Sequence, residues 1–292
     1  MRAHLPYPTT LAASLILAWV LLSTSLPHGV VAGVVVGCML VLVAIWERVL
    51  PHAEAWKPSG RTVRLDLTHM IVTATTVVPA VRATLTVLVG DAVVRQLGAW
   101  GVQPWPTEAP LLLQVALAVV VADAGAYAAH RWMHGARAGW WIHAVHHSPP
   151  GLHVVASARS HPFNAALTYA AETGPLLLLG VGPEALVLWS VLKATNGLLQ
   201  HANVAFARSP LELVLATPEV HRWHHSVVLE ESNTNFGNTT VLWDRVFGTL
   251  HLPADRRPGT RLGIAGADIP EGYLSHLGAP FRLARAEADA GS

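Results

Sequence analysis

Long apolar segments separated by short polar ones run through most of this chain. The first two, residues 11–26 and 30–46, are divided only by a Pro-His-Gly sequence at residues 27–29. A helix needs roughly 20 apolar residues to cross a bilayer, so this pattern predicts two membrane helices joined by a tight turn. Arg2 precedes the first segment, as in a secretory signal, but no small-x-small cleavage site follows. We therefore expect an uncleaved anchor.

A third and a fourth candidate span follow. Residues 67–89 are apolar but are interrupted by Pro79 and Arg82, which predicts a kink or a break in the helix. Residues 110–129 form the clearest span, and their proline lies in the first turn, where a helix tolerates it.

The next two apolar segments, residues 165–181 and 184–200, are each short for a span and contain polar residues. Glycines and a proline divide them. They predict a hairpin that enters the membrane and returns, with two complete spans as the alternative. Glu172 and Lys193, one in each arm, are expected to pair across the hairpin.

Composition supports a membrane protein. Hydrophobic residues make up 52% of the 292 residues and charged residues only 13%, against about 25% charged residues in soluble domains. The predicted fold class is therefore all-α, a polytopic membrane helical bundle. The single cysteine, Cys38, excludes an internal disulfide framework and a thiolate zinc site. The net charge is +1 and the basic residues are scattered, which gives nucleic-acid binding little support.

Eight of the seventeen histidines fall in three short motifs, HRWMH, HAVHH and HRWHH. They are His130, His134, His143, His146, His147, His221, His224 and His225. Residues three and four apart lie on one face of a helix, so each motif can direct several imidazoles at one point. Eight imidazoles exceed the three or four protein ligands of a single zinc ion, which favours two metal ions. Imidazole alone suits iron, zinc, copper and nickel alike.

The positions of Lys and Arg predict the orientation in the membrane. Arg2 precedes the first span, and four basic residues separate the second from the third: Arg48, Lys57, Arg61 and Arg64. The positive-inside rule puts both regions in the cytoplasm. The third span then leaves and the fourth returns, and the re-entrant hairpin brings the last histidine motif back to the same side. We therefore expect a di-metal site at the cytoplasmic face.

The fourth span carries a polar stripe. Asp123, Tyr127, His130 and His134 follow at helical spacing on one face. An acid within a membrane span usually faces the interior of a bundle. We expect Asp123 either to accept the second ring N–H of a metal-bound histidine or to bond Tyr127; a structural contact between helices is the alternative of equal weight.

The order of the motifs, His-x3-His, His-x2-His-His and His-x2-His-His, resembles the fatty acid hydroxylase and sterol desaturase superfamily. Further stretches are similar to the family pattern: Asp123 to Tyr127 ahead of HR, Ser160-His161-Pro162, Gln200-His201, NTNFG and WDRVFGTLH. The resemblance covers about residues 112–251. It suggests three regions, a membrane-spanning part at 1–105, a catalytic domain at 106–251 and a polar, solvated tail at 252–292.

This resemblance implies an integral-membrane, non-haem di-iron enzyme that uses O2 and two electrons to hydroxylate or desaturate a lipid. The eight motif histidines would be metal ligands, with His201 as a further ligand and His161 as a weaker candidate. A separate ferredoxin-like or cytochrome-type electron donor and its reductase are implied, because the chain has no GxGxxG element in a βαβ context and no cysteine set for an iron–sulfur cluster.

A second function class is a histidine-rich membrane metal transporter or metal-binding protein. A transporter would need polar residues distributed through its spans, whereas these motifs lie at span ends. The oxygenase is therefore favoured, and hydroxylation is favoured over desaturation. The unclustered histidines are expected to be ordinary residues: His4, His28, His52, His69, His153, His251 and His276.

Overall fold

The regular elements in the part that the structure describes are helices joined by loops. The computed structural model describes residues 3–87, 91–101, 103–264 and 269–290, and within them β-structure is limited to isolated bridges. The helices are α1 (Pro6–Leu22), α2 (His28–Val49), α3 (Gly60–Val72), α4 (Val78–Leu85), α5 (Asp91–Ala99), α6 (Leu111–Gly135), α7 (Arg137–His147), α8 (Pro162–Leu178), α9 (Pro183–His201), α10 (Pro218–His224), α11 (Leu229–Ser232), α12 (Leu242–Val246), α13 (Tyr273–Leu277) and α14 (Ala279–Ala290). The predicted all-α class is confirmed.

α1 and α2 form the predicted N-terminal hairpin. Pro27 precedes α2 with an extended backbone (ψ 138°) and separates the two helices. The buried residues of α2 recur every four positions, at Val31, Val35, Met39 and Val43, which is one stripe of a helix. α2 packs against α1 and α9, so the hairpin supports the helix that ends at His201.

Two of the described helices are long and apolar enough to cross a membrane, α2 with 22 residues and α6 with 25. At 1.5 Å per residue they extend about 33 and 38 Å, against a hydrocarbon core of about 30 Å. α1 is apolar but shorter. By length and composition, α2 and α6 are candidate membrane spans.

The third apolar segment is broken, as predicted. α3 continues into a π-helical stretch at Thr73–Val77 and then into α4. The stretch ends at Val77, two residues before Pro79, and the N–H of Val78 donates to the carbonyl of Thr73. Proline lacks an N–H and its ring clashes with the preceding turn, and a π-bulge absorbs that misfit. Residues 88–90, at the end of the predicted segment, lie outside the described residues.

α8 and α9 form a hairpin of 17 and 19 residues, about 26 and 28 Å long. Gly180 at the turn has a φ of 72°, a conformation that glycine adopts without strain. Glu172 and Lys193 form the expected ion pair across the hairpin. Whether this hairpin re-enters or spans the membrane stays a prediction.

α6 lies at the centre of the bundle and packs against α7, α8 and α9. Gly125 allows a close approach to α8, because a Cβ at that position would overlap the carbonyl oxygen of Ala171. This packing fixes the C-terminal end of α6, where His130 and His134 lie.

The C-terminal region differs from the solvated tail that we expected. α14 packs against α7, and His276 at the end of α13 is completely buried. Its Nδ1 atom lies 2.9 Å from Nε2 of His69. Two histidines treated as ordinary therefore form a buried pair, because each supplies the polar partner that a buried imidazole needs.

Candidate metal centre

Nine histidines lie in two adjacent clusters between α6, α7, α9 and α10. The first cluster contains His130, His134, His143, His147 and His224. The second cluster contains His146, His201, His221 and His225. Within each cluster one nitrogen from every ring lies within 4.8 Å of the others. Each cluster thus gathers its imidazole nitrogens around a single point.

Helical spacing decides which cluster each ring joins. On α7, His143 and His147 are four residues apart and both join the first cluster, whereas His146 joins the second. At 3.6 residues per turn, residues four apart are offset by about 40° and residues three apart by about 60° in the opposite direction. One His-x2-His-His motif therefore supplies both clusters.

The motif at the end of α10 repeats this arrangement with the clusters exchanged. His221 and His225 join the second cluster and His224 joins the first. The two clusters are in contact, since the rings of His147 and His225 stack with their centroids 4.5 Å apart. The two motifs thus build a pair of neighbouring sites.

Five of the nine rings direct Nδ1 at an oxygen outside their cluster. The pairs are His130 with Phe236 O (2.9 Å), His143 with Asn164 Oδ1 (3.0 Å), His146 with Arg159 O (3.1 Å), His201 with Gly197 O (2.9 Å) and His224 with Thr234 O (2.7 Å). A carbonyl oxygen only accepts hydrogen bonds, so the nitrogen that faces it carries the proton. A neutral ring held in this way presents an unprotonated Nε2 to its cluster.

Burial keeps the rings neutral. It lowers the pKa of His146 to about 4. Burial, and then the neighbouring rings, hold the pKa of His147 and of His221 well below 6.5. Neutral imidazole is the form in which histidine binds a metal ion.

The unprotonated nitrogens face each other. Nε2 of His130 and Nε2 of His143 are 3.0 Å apart, and Nε2 of His146 and Nε2 of His201 are 3.3 Å apart. Two lone pairs at this distance repel, and neither ring has a proton there to share. A cation between them would turn the repulsion into coordination. The donor set therefore fits one metal ion in each cluster.

The loop after the third motif supplies two of the orienting carbonyls. Asn235 has a φ of 56°, and a Cβ at Gly237 would overlap neighbouring backbone. Asp244 accepts the N–H groups of Phe236 and Gly237, both at 2.8 Å. This turn holds the carbonyl of Phe236 against His130.

Comparison with known proteins decides the family. Residues 115–249 match the model of the family described as Fatty acid hydroxylase. Ornithine lipid hydroxylase OlsE of Rhizobium tropici is 37% identical over 245 residues, which are 83% of this chain and 73% of that protein. The chain belongs to the fatty acid hydroxylase family.

Other relatives match this fatty acid hydroxylase family member over a shorter region. Alkylglycerol monooxygenase of Danio rerio is 29% identical over 143 residues, 48% of this chain and 31% of that protein. Delta(7)-sterol 5(6)-desaturase of Candida glabrata is 28% identical over 148 residues, 50% of this chain and 38% of that protein. The chain thus spans less than half the length of these two relatives. No solved structure gives a significant match.

Family membership establishes the class of activity. The relatives are lipid hydroxylases, monooxygenases and a sterol desaturase, and this chain is accordingly a membrane oxidoreductase that oxygenates a lipid. A metal transporter is not favoured.

In this fatty acid hydroxylase family member, Asp123 lies apart from the clustered rings. Its carboxylate accepts the backbone N–H groups of Thr239 at 3.1 Å and Thr240 at 2.6 Å. It bonds neither a histidine nor Tyr127. This agrees with the alternative given above, a purely structural contact, except that the partner of Asp123 is a loop and not another helix. The hydroxyl of Tyr127 lies 3.0 Å from Oγ1 of Thr249.

His161 belongs to neither cluster. Its Nδ1 accepts the N–H of Phe163 at 3.2 Å and so caps the start of α8. Its Nε2 lies 3.3 Å from the carbonyl of Leu277 in the C-terminal region. These contacts give His161 a structural position beside the site.

The residues that orient the rings were missed in the sequence. Asn164 follows the Ser-His-Pro stretch by two positions, and most of the other acceptors are backbone carbonyls, which no residue type marks. Arg159 is held by a buried ion pair with Asp66, with Nε and Oδ1 2.6 Å apart. The same carboxylate lies 2.9 Å from Nε2 of His153, a histidine that we expected to be ordinary.

A cavity of about 390 Å³ reaches both clusters. Five clustered histidines line it, together with apolar side chains from the surrounding helices. The histidines are His130, His143, His146, His201 and His221. Apolar contributions include Val36, Met70, Met133 and Leu198. The volume lies within the range of about 300–1,000 Å³ that is typical of small-molecule sites. A bound apolar chain therefore has access to both clusters.

Proposed function

We propose that the nine clustered histidines hold two iron ions and that the protein uses them to hydroxylate a lipid with O2 and two external electrons. The facing Nε2 atoms of His130 and His143, and of His146 and His201, carry this proposal. Imidazole alone does not select iron. The iron-dependent oxygenation of the family supports iron over the other metals.

Bound iron would supply the activation of O2 that an unactivated C–H bond requires, with one oxygen atom entering the lipid and the other leaving as water. The chain supplies the rest. The Nδ1 acceptors fix the direction of each ring. The apolar cavity holds the target carbon near the clusters and excludes water from them.

Hydroxylation is the favoured outcome. A relative that matches over 83% of the chain is an ornithine lipid hydroxylase, and alkylglycerol and methylsterol monooxygenases also match. Ornithine lipid is therefore the first substrate to test. Desaturation is the second candidate outcome, supported by the sterol desaturase.

Electrons come from a separate ferredoxin-like or cytochrome-type protein and its reductase. We propose that the site faces the cytoplasm, at the cell membrane. The basic residues at the end of α2, in the connection and at the start of α3 then lie on the same side as the end of α6. The donor would dock on that face.

Product analysis with labelled oxygen tests the proposal. Purified full-length protein, loaded with iron, is incubated with ornithine lipid, 18O2 and a reducing system. We expect the lipid to gain a single 18O atom, as detected by mass spectrometry. His28 is exposed and lies outside both clusters, so His28→Ala serves as a control that keeps activity. Recovery of an alkene without an alcohol would favour desaturation, and an unchanged lipid would contradict the proposal for this substrate.

A further inference from the structure

The cavity wall contains one charged side chain in addition to its histidines, as far as the described residues show. This is Lys193 on α9, whose side chain is 27% exposed. Its ammonium pairs with Glu172, which is 2% exposed, and the second oxygen of Glu172 accepts a hydrogen bond from Asn238 at 2.5 Å. Buried charges are costly unless they are paired. The charge that Lys193 brings to the wall is therefore neutralised by a buried carboxylate paired with it.

The ammonium of Lys193 has donors left over. It carries three N–H groups, and one of them is directed at Glu172. Within the described part of the chain, Nζ makes no second hydrogen bond. The remaining donors are therefore available to an oxygen atom of a molecule in the cavity.

The charges of Lys193 and Glu172 decide which kind of oxygen atom of a bound molecule is favoured. Glu172 already neutralises Lys193, so an anionic group bound to Lys193 would lie beside the Glu172 carboxylate and be repelled by it. This position is about 12 Å along α9 from His201 and from the ions that the clusters are proposed to hold. A neutral carbonyl oxygen accepts the same hydrogen bond without that repulsion. The wall therefore favours an ester or amide carbonyl over a carboxylate or phosphate.

Lys193 also lies at a set distance from the second cluster. Lys193, Gly197 and His201 all line the cavity and follow each other at intervals of four residues on α9. They lie on one face of the helix, and eight residues rise about 12 Å along its axis. A carbonyl held at Lys193 would therefore determine which carbon of the attached chain reaches the histidines.

We propose that Lys193, held in place by Glu172, binds the ester or amide carbonyl of an acyl lipid and so selects both the substrate class and the carbon that is oxidised. This inference rests on the proposed function and adds the feature of the lipid that is recognised. Lys193 is a specificity-determining residue in this account, and Glu172 is a positioning residue.

Lipid binding tests the inference separately from turnover. The affinity of the iron-loaded protein is measured for an ester-linked lipid and for the ether-linked lipid with the same chains. The double variant Lys193→Met/Glu172→Gln removes both charges, so no buried carboxylate is left unpaired. Lys193→Arg keeps the cation, and Thr168→Val removes a different polar group from the same wall.

We expect the wild type, Lys193→Arg and Thr168→Val to bind the ester lipid about tenfold more tightly than the ether lipid, the scale of a hydrogen bond to a charged group. The double variant should bind both lipids alike and should oxidise several carbons where the wild type oxidises one. Equal binding of the two lipids by the wild type, or a preference that survives in the double variant, would overturn the inference. Ester preference in a protein that makes no oxygenated lipid would instead count against the proposed function alone.

Discussion

Nδ1 of His276 lies 2.9 Å from Nε2 of His69, and both rings are buried. His69 directs its own Nδ1 at the carbonyl of Ser160, 2.9 Å away. Its Nε2 is therefore unprotonated and accepts the Nδ1–H of His276. These bonds join α3 and the segment before α8 to the C-terminal region, which is thereby fixed against the elements that carry the site.

Replacing His276 with alanine should destabilise the protein. The change leaves Nε2 of His69 without its buried partner and opens a cavity under α13, so we expect the free energy of unfolding to fall by about 1–3 kcal/mol. Urea unfolding in detergent micelles, followed by tryptophan fluorescence, measures the effect. His4 is exposed, so His4→Ala is the matched control, and equal stability of the two variants would refute a structural role for His276.

The same pair predicts a pH dependence. Burial lowers the pKa of His276 to about 3, whereas a histidine in an unfolded chain has a pKa of about 6.5. Below about pH 6.5 the unfolded state therefore binds a proton that the folded state excludes. Through this group, the free energy of unfolding falls as the pH drops, by up to about 1.4 kcal/mol per pH unit. The stability gap between wild type and His276→Ala should be widest above pH 7 and narrower at pH 5. A gap that widens on acidification would show that the sign is wrong.

One histidine from each cluster should be essential for turnover. His224→Ala removes a ring from the first cluster and His146→Ala a ring from the second. We expect each variant to insert in the membrane normally and to lose at least about 100-fold in turnover, since even groups that only orient a ligand are worth 10- to 100-fold. Membrane fractionation and product analysis measure the two properties. Full activity in either variant would show that the ligand assignment is wrong.

Asn164 should matter through the orientation of His143. Its Oδ1 accepts the ring Nδ1–H at 3.0 Å, so Asn164→Ala should lower metal affinity by about 10- to 100-fold. Asn164→Asp keeps an acceptor oxygen and should restore most of it. Competition with a chelator measures the affinity. If the alanine and aspartate variants behaved alike, the hydrogen bond would have no part in metal binding.

The helices and the grouping of the histidines could be predicted from the sequence because both depend on local spacing. The apolar segments predicted the N-terminal hairpin, the central span α6, the break at Pro79 and the α8–α9 hairpin. The structure gathers the motif histidines and His201 in two clusters. Their role as metal ligands stays a prediction.

Contacts between distant parts of the chain could not be predicted from the sequence. For Asp123 the sequence left a contact with the histidines or Tyr127 and a structural contact equally open, and the structure shows its carboxylate bonded to the backbone of a loop more than 100 residues later. The orienting groups are mostly carbonyls, such as that of Arg159, which depend on where a loop runs and not on residue type. The burial of His276 likewise depends on a partner 207 residues away.

If each cluster holds one iron ion, the purified, active protein should contain two. Metal analysis measures this number, with His28→Ala as a control and His224→Ala and His146→Ala as variants of the two clusters. We expect about two irons per chain in wild type and control, and a loss of iron in each cluster variant. A preparation that oxygenates lipid while free of iron would contradict the account.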